Sequence, residues 1–168
     1  MNTEELTKLI TEYGKDIYNF CLHLAMSRTE ADELYQDVFL TAINKIDEGG
    51  NPKSFLMGTA MRLWRNKRRK EAWRLRIAPK EELAEESEFP PHITPEGEYL
   101  KKEERQSVLK AINSLKEPLR QTVILYYSSE LTVEETAEIM GVPTGTVKSR
   151  LYKARKILKQ LLEADING

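Results

Sequence analysis

The 168-residue sequence contains one cysteine, Cys21, which excludes an internal disulfide framework and any multi-cysteine metal site. Its two histidines, His23 and His92, are too few and too scattered for most zinc chemistry, so neither a metal nor a cofactor is expected. No run approaches the roughly 18 apolar residues that a membrane helix needs. The opening MNTEELTKLI carries acids where a secretory signal carries bases followed by an apolar core. A cytoplasmic protein without direct membrane insertion is expected. Alternating strand patterns are nearly absent, which leaves an all-α chain. Net charge is scarce too, −1 from 26 Lys+Arg and 27 Asp+Glu, and this argues against a general nucleic-acid coat.

What the chain has is charge in separate blocks. Residues 61–80 hold nine bases and one acid, residues 81–104 two bases and nine acids, and residues 143–160 six bases and no acid. Two basic blocks on different segments are the electrostatic footprint of two polyanion contacts. A hydrophobic content of 40% suffices for packed cores, and the length fits one ordinary domain or two small ones.

Helical periodicity organises the rest. Leu6, Leu9, Ile10, Tyr13, Ile17, Phe20, Cys21 and Leu24 recur at three- and four-residue steps, predicting a helix over 4–26 with Cys21 as a core thiol. Thr29 reads as the cap of a second helix running to about Ile46, with Ala31, Leu34, Tyr35, Val38, Ala42 and Ile46 inward. After the loop Gly49-Gly50, Asn51 reads as a cap and Pro52 as the first residue of a third helix, with Phe55, Leu56, Ala60, Leu63 and Trp64 inward. Pro79, Pro90, Pro91 and Pro95 among glutamates read as a flexible acidic linker. Helices are expected to resume near Pro95, with Val108, Leu109, Ile112 and Leu115 apolar. The prediction is two small helical domains, 1–78 and 105–168, joined by a linker over 79–104.

The second domain carries the strongest local signal. In LTVEETAEIMGVPTGTVKSRL, Thr132 and Glu135 form a capping box, Ala137 permits close helix crossing, and Gly141 supplies a tight turn. Val142 plugs the corner, Pro143 opens the next helix, and Val147 and Leu151 face inward. This is helix-turn-helix grammar. Thr144, Lys148, Ser149, Tyr152 and Lys153 then point away from the core, with Arg150 on a flank, and these side chains suit phosphates and base edges. In the first domain, Asp32, Glu33, Gln36, Asp37 and Leu40 share the face opposite the core. An exposed leucine among acids suits a protein partner. Arg62, Arg65, Lys67, Arg68, Arg69 and Lys70 accompany Trp64 and Trp73 on the third helix; such interleaving suits single-stranded DNA, although Trp64 is assigned to the core.

The segments ADELYQDVFLTAI, SFLMGTAMRLWRNKRRK and LKEPLRQTVILYYSSELTVEETAEIMGVPTGTVKSRLYKAR resemble the two domains of extracytoplasmic-function sigma factors, the promoter-specificity subunits of bacterial RNA polymerase. The resemblance implies that Asp32, Glu33, Gln36, Asp37, Phe39 and Leu40 grip the β′ coiled coil of core polymerase. It implies that Asn51, Arg62, Arg65, Asn66, Arg68, Arg69 and Lys70 engage and melt the −10 element, the loop 47–51 capturing a flipped base. It further implies that Thr144, Thr146, Lys148, Ser149, Arg150, Tyr152 and Lys153 meet the −35 element, that the β flap is a second polymerase contact, and that an anti-sigma factor holds the protein inactive. Where many members read Ala-Arg-Asn, this sequence has Ala60-Met61-Arg62.

A promoter-specificity subunit needs no catalysis of its own and no small-molecule substrate. The rival reading is a stand-alone helix-turn-helix regulator binding duplex DNA without polymerase. It leaves the acidic face around Gln36 and the first basic block without a purpose. A metal-dependent nuclease using Asp32, Glu33 and Asp37 lacks a convergent base or nucleophile.

Overall fold

The computed structural model describes residues 2–45, 50–77 and 102–167. Backbone proximity divides the chain into two compact units, Met1–Pro90 and Pro91–Gly168. Every regular element among the described residues is helical, as the periodicity predicts.

The first unit is built from α1 (Thr3–Ala25), α2 (Arg28–Lys45) and α3 (Pro52–Ile77), each packed against the other two. Asn2 starts α1 with a reciprocal box: its Oδ1 accepts from the Glu5 amide at 2.8 Å, and Glu5 Oε2 accepts from the Asn2 amide at 3.0 Å. Ile17, Phe20, Cys21 and Leu24 are buried. Ile10, predicted inward, is exposed, while His23 is buried. Gly14 lets α2 approach, since a Cβ there would lie 3.0 Å from Tyr35 Oη.

The cap of α2 differs from expectation. The Glu30 amide donates to Ser27 Oγ at 3.4 Å and the Ala31 amide to Ser27 O at 2.9 Å. Ser27 is therefore the cap and Thr29 lies in the first turn. At α3 the expectation holds: Asn51 Oδ1 accepts from the amides of Lys53 at 3.0 Å and Ser54 at 3.4 Å, ahead of Pro52 at the first helical position. Leu56, Met57, Ala60, Met61 and Trp64 form the α3 core stripe, so the core assignment of Trp64 stands.

The second unit contains α4 (Lys102–Ser114), α5 (Glu117–Val123), a π-helical turn (Ile124–Ser128), α6 (Val133–Met140) and α7 (Thr144–Asn167). The expected linker lies outside the described residues up to 101, and its last three positions, 102–104, already belong to α4. The long helix α7 organises this unit. One cluster joins Leu115, Val123 and Ala154 with Ile112, Leu119 and Leu158; another joins Ala137, Val147 and Leu151 with Tyr126, Val133 and Val142. Between α5 and α6, the Ser129 amide bonds Ile124 O at 3.0 Å and the Leu131 amide bonds Leu125 O at 3.2 Å. Glu130 adopts the left-handed conformation there, with φ 55°.

Among the described residues no helix is long and apolar enough to cross a membrane.

Candidate functional site

The acidic face of α2 exists because α1 and α3 occupy the other side of that helix. Ala31, Leu34, Val38 and Ala42 are buried there, leaving Asp32, Glu33, Gln36, Asp37 and Leu40 exposed. Leu40 is 60% exposed. Burying a leucine side chain fully is worth about 1.5–3 kcal/mol, so most of that gain is still open to a partner.

Phe39, grouped with these residues by resemblance, is a correction. It is buried and meets the Tyr35 ring edge-on at 5.0 Å between centroids. With α1 and α3 both against it, α2 buries an arc wide enough to include two successive residues, Val38 and Phe39. Phe39 thus supports the outer face from beneath.

The acids on that face are not equivalent. Tyr18 Oη donates to Asp32 Oδ1 at 2.6 Å, and this bond raises the tyrosine pKa, with burial and the Asp32 charge adding to it. Glu33 and Glu30 both sit 3.6 Å from Lys67 Nζ. Lys67 is therefore turned towards α2, apart from the outward bases of its own helix. Asp37 and Leu40 instead line a groove of about 380 Å³ with Thr41, Asn44, Arg62 and Leu63. This groove joins two sites that the sequence reading kept separate, since Arg62 belongs to the basic block.

Helix α3 presents Arg62, Arg65, Arg68, Arg69 and Lys70 to solvent, with Asn66 half-buried. Arg69 donates to Asn66 Oδ1, and the Arg68 guanidinium lies 5.6 Å from the centre of the Trp64 ring. Arg62, Asn66, Arg69 and Trp73 follow steps of four, three and four, so they share one face. Trp73 is 64% exposed, which leaves its ring available for stacking. Asn51 has its side-chain oxygen committed to capping α3. Of the rest of the expected base-capture loop, Gly50 is exposed and 47–49 lie outside the described residues.

In the second unit the capping box is present as expected: Glu135 N to Thr132 Oγ1 at 3.0 Å and Thr132 N to Glu135 Oε1 at 3.1 Å. Gly141 adopts φ 68° and ψ 36°, a conformation that costs other residues about 1–2 kcal/mol. The Val142 amide closes the corner on Ala137 O at 3.1 Å. The turn fixes the direction in which α7 leaves, with Val147, Leu151 and Ala154 against the core. Thr144, Lys148, Ser149, Tyr152 and Lys153 are exposed, while Thr146 and Arg150 are half-buried. Tyr152 is 68% exposed, an unusual place for a ring in a free chain and a natural one for a ring that meets a groove. One pairing escaped the sequence reading. Arg155 Nε donates to Tyr127 Oη, and the guanidinium lies 5.6 Å from the centre of that ring.

Two family models match the two units separately. Sigma-70 region 2 matches residues 9–74 and sigma-70 region 4 matches residues 105–158. The chain is 30% identical over 144 residues to RNA polymerase sigma factor HrpL of Pseudomonas syringae pv. syringae, covering 80% of this chain and 74% of that protein. It is 26% identical over 162 residues to ECF RNA polymerase sigma factor SigW of Bacillus subtilis, covering 92% and 87%. Among solved structures, the sigma factor RpoE of Bartonella quintana, crystallised with the anti-sigma factor NepR, superposes with a TM-score of 0.73 at 26% identity over 96% of each chain. A stand-alone regulator would account for the second match and leave the first without meaning. The chain belongs to the extracytoplasmic-function sigma factors, the alternative subunits that bind core RNA polymerase and direct promoter-specific transcription initiation.

Proposed function

We propose that the two units divide this task in the order in which they stand along the chain. The first unit, residues 1–78, docks on the β′ coiled coil through Gln36, Asp37 and Leu40, with Asp32 and Glu33 at the margin where their tyrosine and lysine partners hold them. Its helix α3 engages the −10 element through the face carrying Arg62, Asn66 and Arg69, flanked by Arg65, Arg68 and Lys70, with Trp73 as a stacking platform for an unpaired base. The second unit, residues 105–168, places α7 in the major groove of the −35 element through Thr144, Lys148, Ser149, Tyr152 and Lys153, with Thr146 and Arg150 at its edges, and meets the β flap. The protein works in the cytoplasm without catalysis of its own, and an anti-sigma factor keeps it from polymerase, a reading supported by the Bartonella relative's having been crystallised in complex with the anti-sigma factor NepR. The observation that supports this reading best is Leu40, 60% exposed on an otherwise acidic face: a folded helix gains nothing by leaving it there, and a helical partner does.

The test is reconstitution with purified bacterial core polymerase and run-off transcription from a library of chromosomal promoter fragments. A stable holoenzyme with discrete new transcripts is expected. Gln36→Ala combined with Leu40→Ala should lower polymerase affinity at least tenfold while leaving the melting temperature unchanged. A chain that ignores polymerase and shifts duplex DNA alone would be a stand-alone regulator. A double variant that melts early would mean the face belongs to the core.

A further inference from the structure

The Tyr127–Arg155 pair is built where a fold alone has little need of it. Tyr127 is 48% exposed and Arg155 is exposed, yet the guanidinium both stacks over the ring and donates Nε–H to its hydroxyl. The ring is itself anchored. It meets Tyr126 edge-on at 4.9 Å, and Tyr126 packs on the cluster of Ala137, Val147 and Leu151 that sets the helix-turn-helix corner. Within the π-helical turn Ile124–Ser128, Ile124 and Leu125 are buried, Tyr126 is half-buried against that cluster, and Tyr127 alone of the two rings is exposed. The outcome is an arginine whose orientation is tied to the same corner that orients α7.

The position of Arg155 on α7 points to what it meets. Lys148, Tyr152 and Arg155 follow steps of four and three, so they share one face of the helix, and Arg155 stands about 10 Å beyond Lys148 along the axis. A recognition helix reads base edges with its first turns, and its later turns run over the sugar-phosphate backbone. Stacking and the Nε bond leave the two terminal nitrogens of Arg155 as donors, the fork that matches two phosphate oxygens. No carboxylate among the described residues lies within ion-pair distance of it. We propose that Arg155 is a further contact of this protein to DNA phosphate, on the backbone beside the upstream element, and that Tyr127 is its positioning residue. The proposal rests on reading α7 as the duplex-recognition helix. It is a contact of affinity and register, carrying no base preference of its own.

The experiment uses the full chain in holoenzyme and a promoter fragment that the holoenzyme selects from chromosomal DNA, with affinity followed across a salt series. Arg155→Ala should weaken binding about tenfold, as expected for one charge-assisted hydrogen-bonded contact, and reduce the slope of log K against log salt by about one. Arg155→Lys should restore the slope and leave affinity short of the parent. Tyr127→Phe keeps the ring and removes the hydroxyl. It should weaken binding by a smaller factor with the parental slope, and that effect should vanish in the Arg155→Ala background. Lys148→Ala separates the two levels of inference. Should it weaken binding while the Arg155 and Tyr127 variants shift only the melting temperature, the pair is a structural staple and the proposal falls. Should Lys148→Ala also leave promoter affinity unchanged, or should the holoenzyme select no fragment, the reading of α7 falls and takes the proposal with it.

Discussion

The Cys21 thiol is fully buried between helices, and that burial pushes its pKa from the ordinary 9.0 up to about 12. In the folded chain it stays protonated, inert towards thiol reagents and unable to act as nucleophile or ligand. The same shift is a statement about stability. Above pH 9 the unfolded thiol ionises and the folded one does not, so the contribution is complete below pH 9 and declines between 9 and about 12. Burial raises the Tyr35 hydroxyl as well, so some alkaline loss will persist without the cysteine. Urea unfolding at pH 8 and pH 10.5 should therefore show a smaller loss in Cys21→Ala than in the parent; equal losses would mean the thiol is hydrated. Thr136 makes the complementary case. Its side chain is fully buried and Oγ1 has no hydrogen-bond partner among the described residues. Exchanging that hydroxyl for a methyl removes an unsatisfied polar group at constant shape, so Thr136→Val should raise stability by roughly 1 kcal/mol. A loss measured by chemical denaturation would show that the hydroxyl is satisfied in solution.

Two left-handed residues frame the helix-turn-helix, and they differ in cost. Gly141 at φ 68° carries no steric penalty, whereas Glu130 at φ 55° does. Gly141→Ala should cost about 1–2 kcal/mol and tilt α7 away from its groove, so promoter affinity should fall further than stability alone explains. Glu130→Gly relieves a similar strain against a chain-entropy loss of about 0.5–1 kcal/mol, for a net gain of up to about 1 kcal/mol in the melting of this unit. The helix-turn-helix was legible in the sequence because its grammar is local: Thr132 and Glu135, Ala137, Gly141 and Val147 each act on a neighbour a few residues away. The Asn51–Pro52 start of α3 was legible for the same reason. Much of what could not be read depended on neighbours distant in sequence. Phe39 turned inward because two helices flank α2, and a one-sided stripe does not foresee that. The Ser27 cap competed with the adjacent Thr29, and only backbone direction separates them. Asn2 with Glu5 is a local box with the same three-residue spacing as Thr132 with Glu135. Tyr127 and Arg155 lie 28 positions apart, and Tyr127 sits in a π-helical turn that has no local sequence signal.

At the scale of the molecule, each unit owns its core. The buried residues of α1, α2 and α3 contact one another, and those of α4 to α7 form their own clusters around α7. The basic blocks at 61–80 and 143–160 leave residues 1–78 at only +2 and residues 105–168 at only +3, with the balancing acids in 79–104, a modest excess for holding a polyanion by charge alone. Polymerase and promoter must therefore be held by several modest contacts acting together, and covalent connection is what lets the second contact follow the first at high effective concentration. This separates folding from function in a measurable way. Residues 1–78 and 102–168, supplied as two polypeptides, should each show cooperative helical unfolding. Transcription from a promoter that depends on both elements should nevertheless fall by about 10²–10⁴ relative to the intact chain at equal concentration, the usual gain from tethering. Raising the concentration of the second fragment should recover part of it. Activity equal to that of the intact chain at matched concentration would mean that polymerase alone organises the two contacts; fragments without a melting transition would mean that the cores depend on each other.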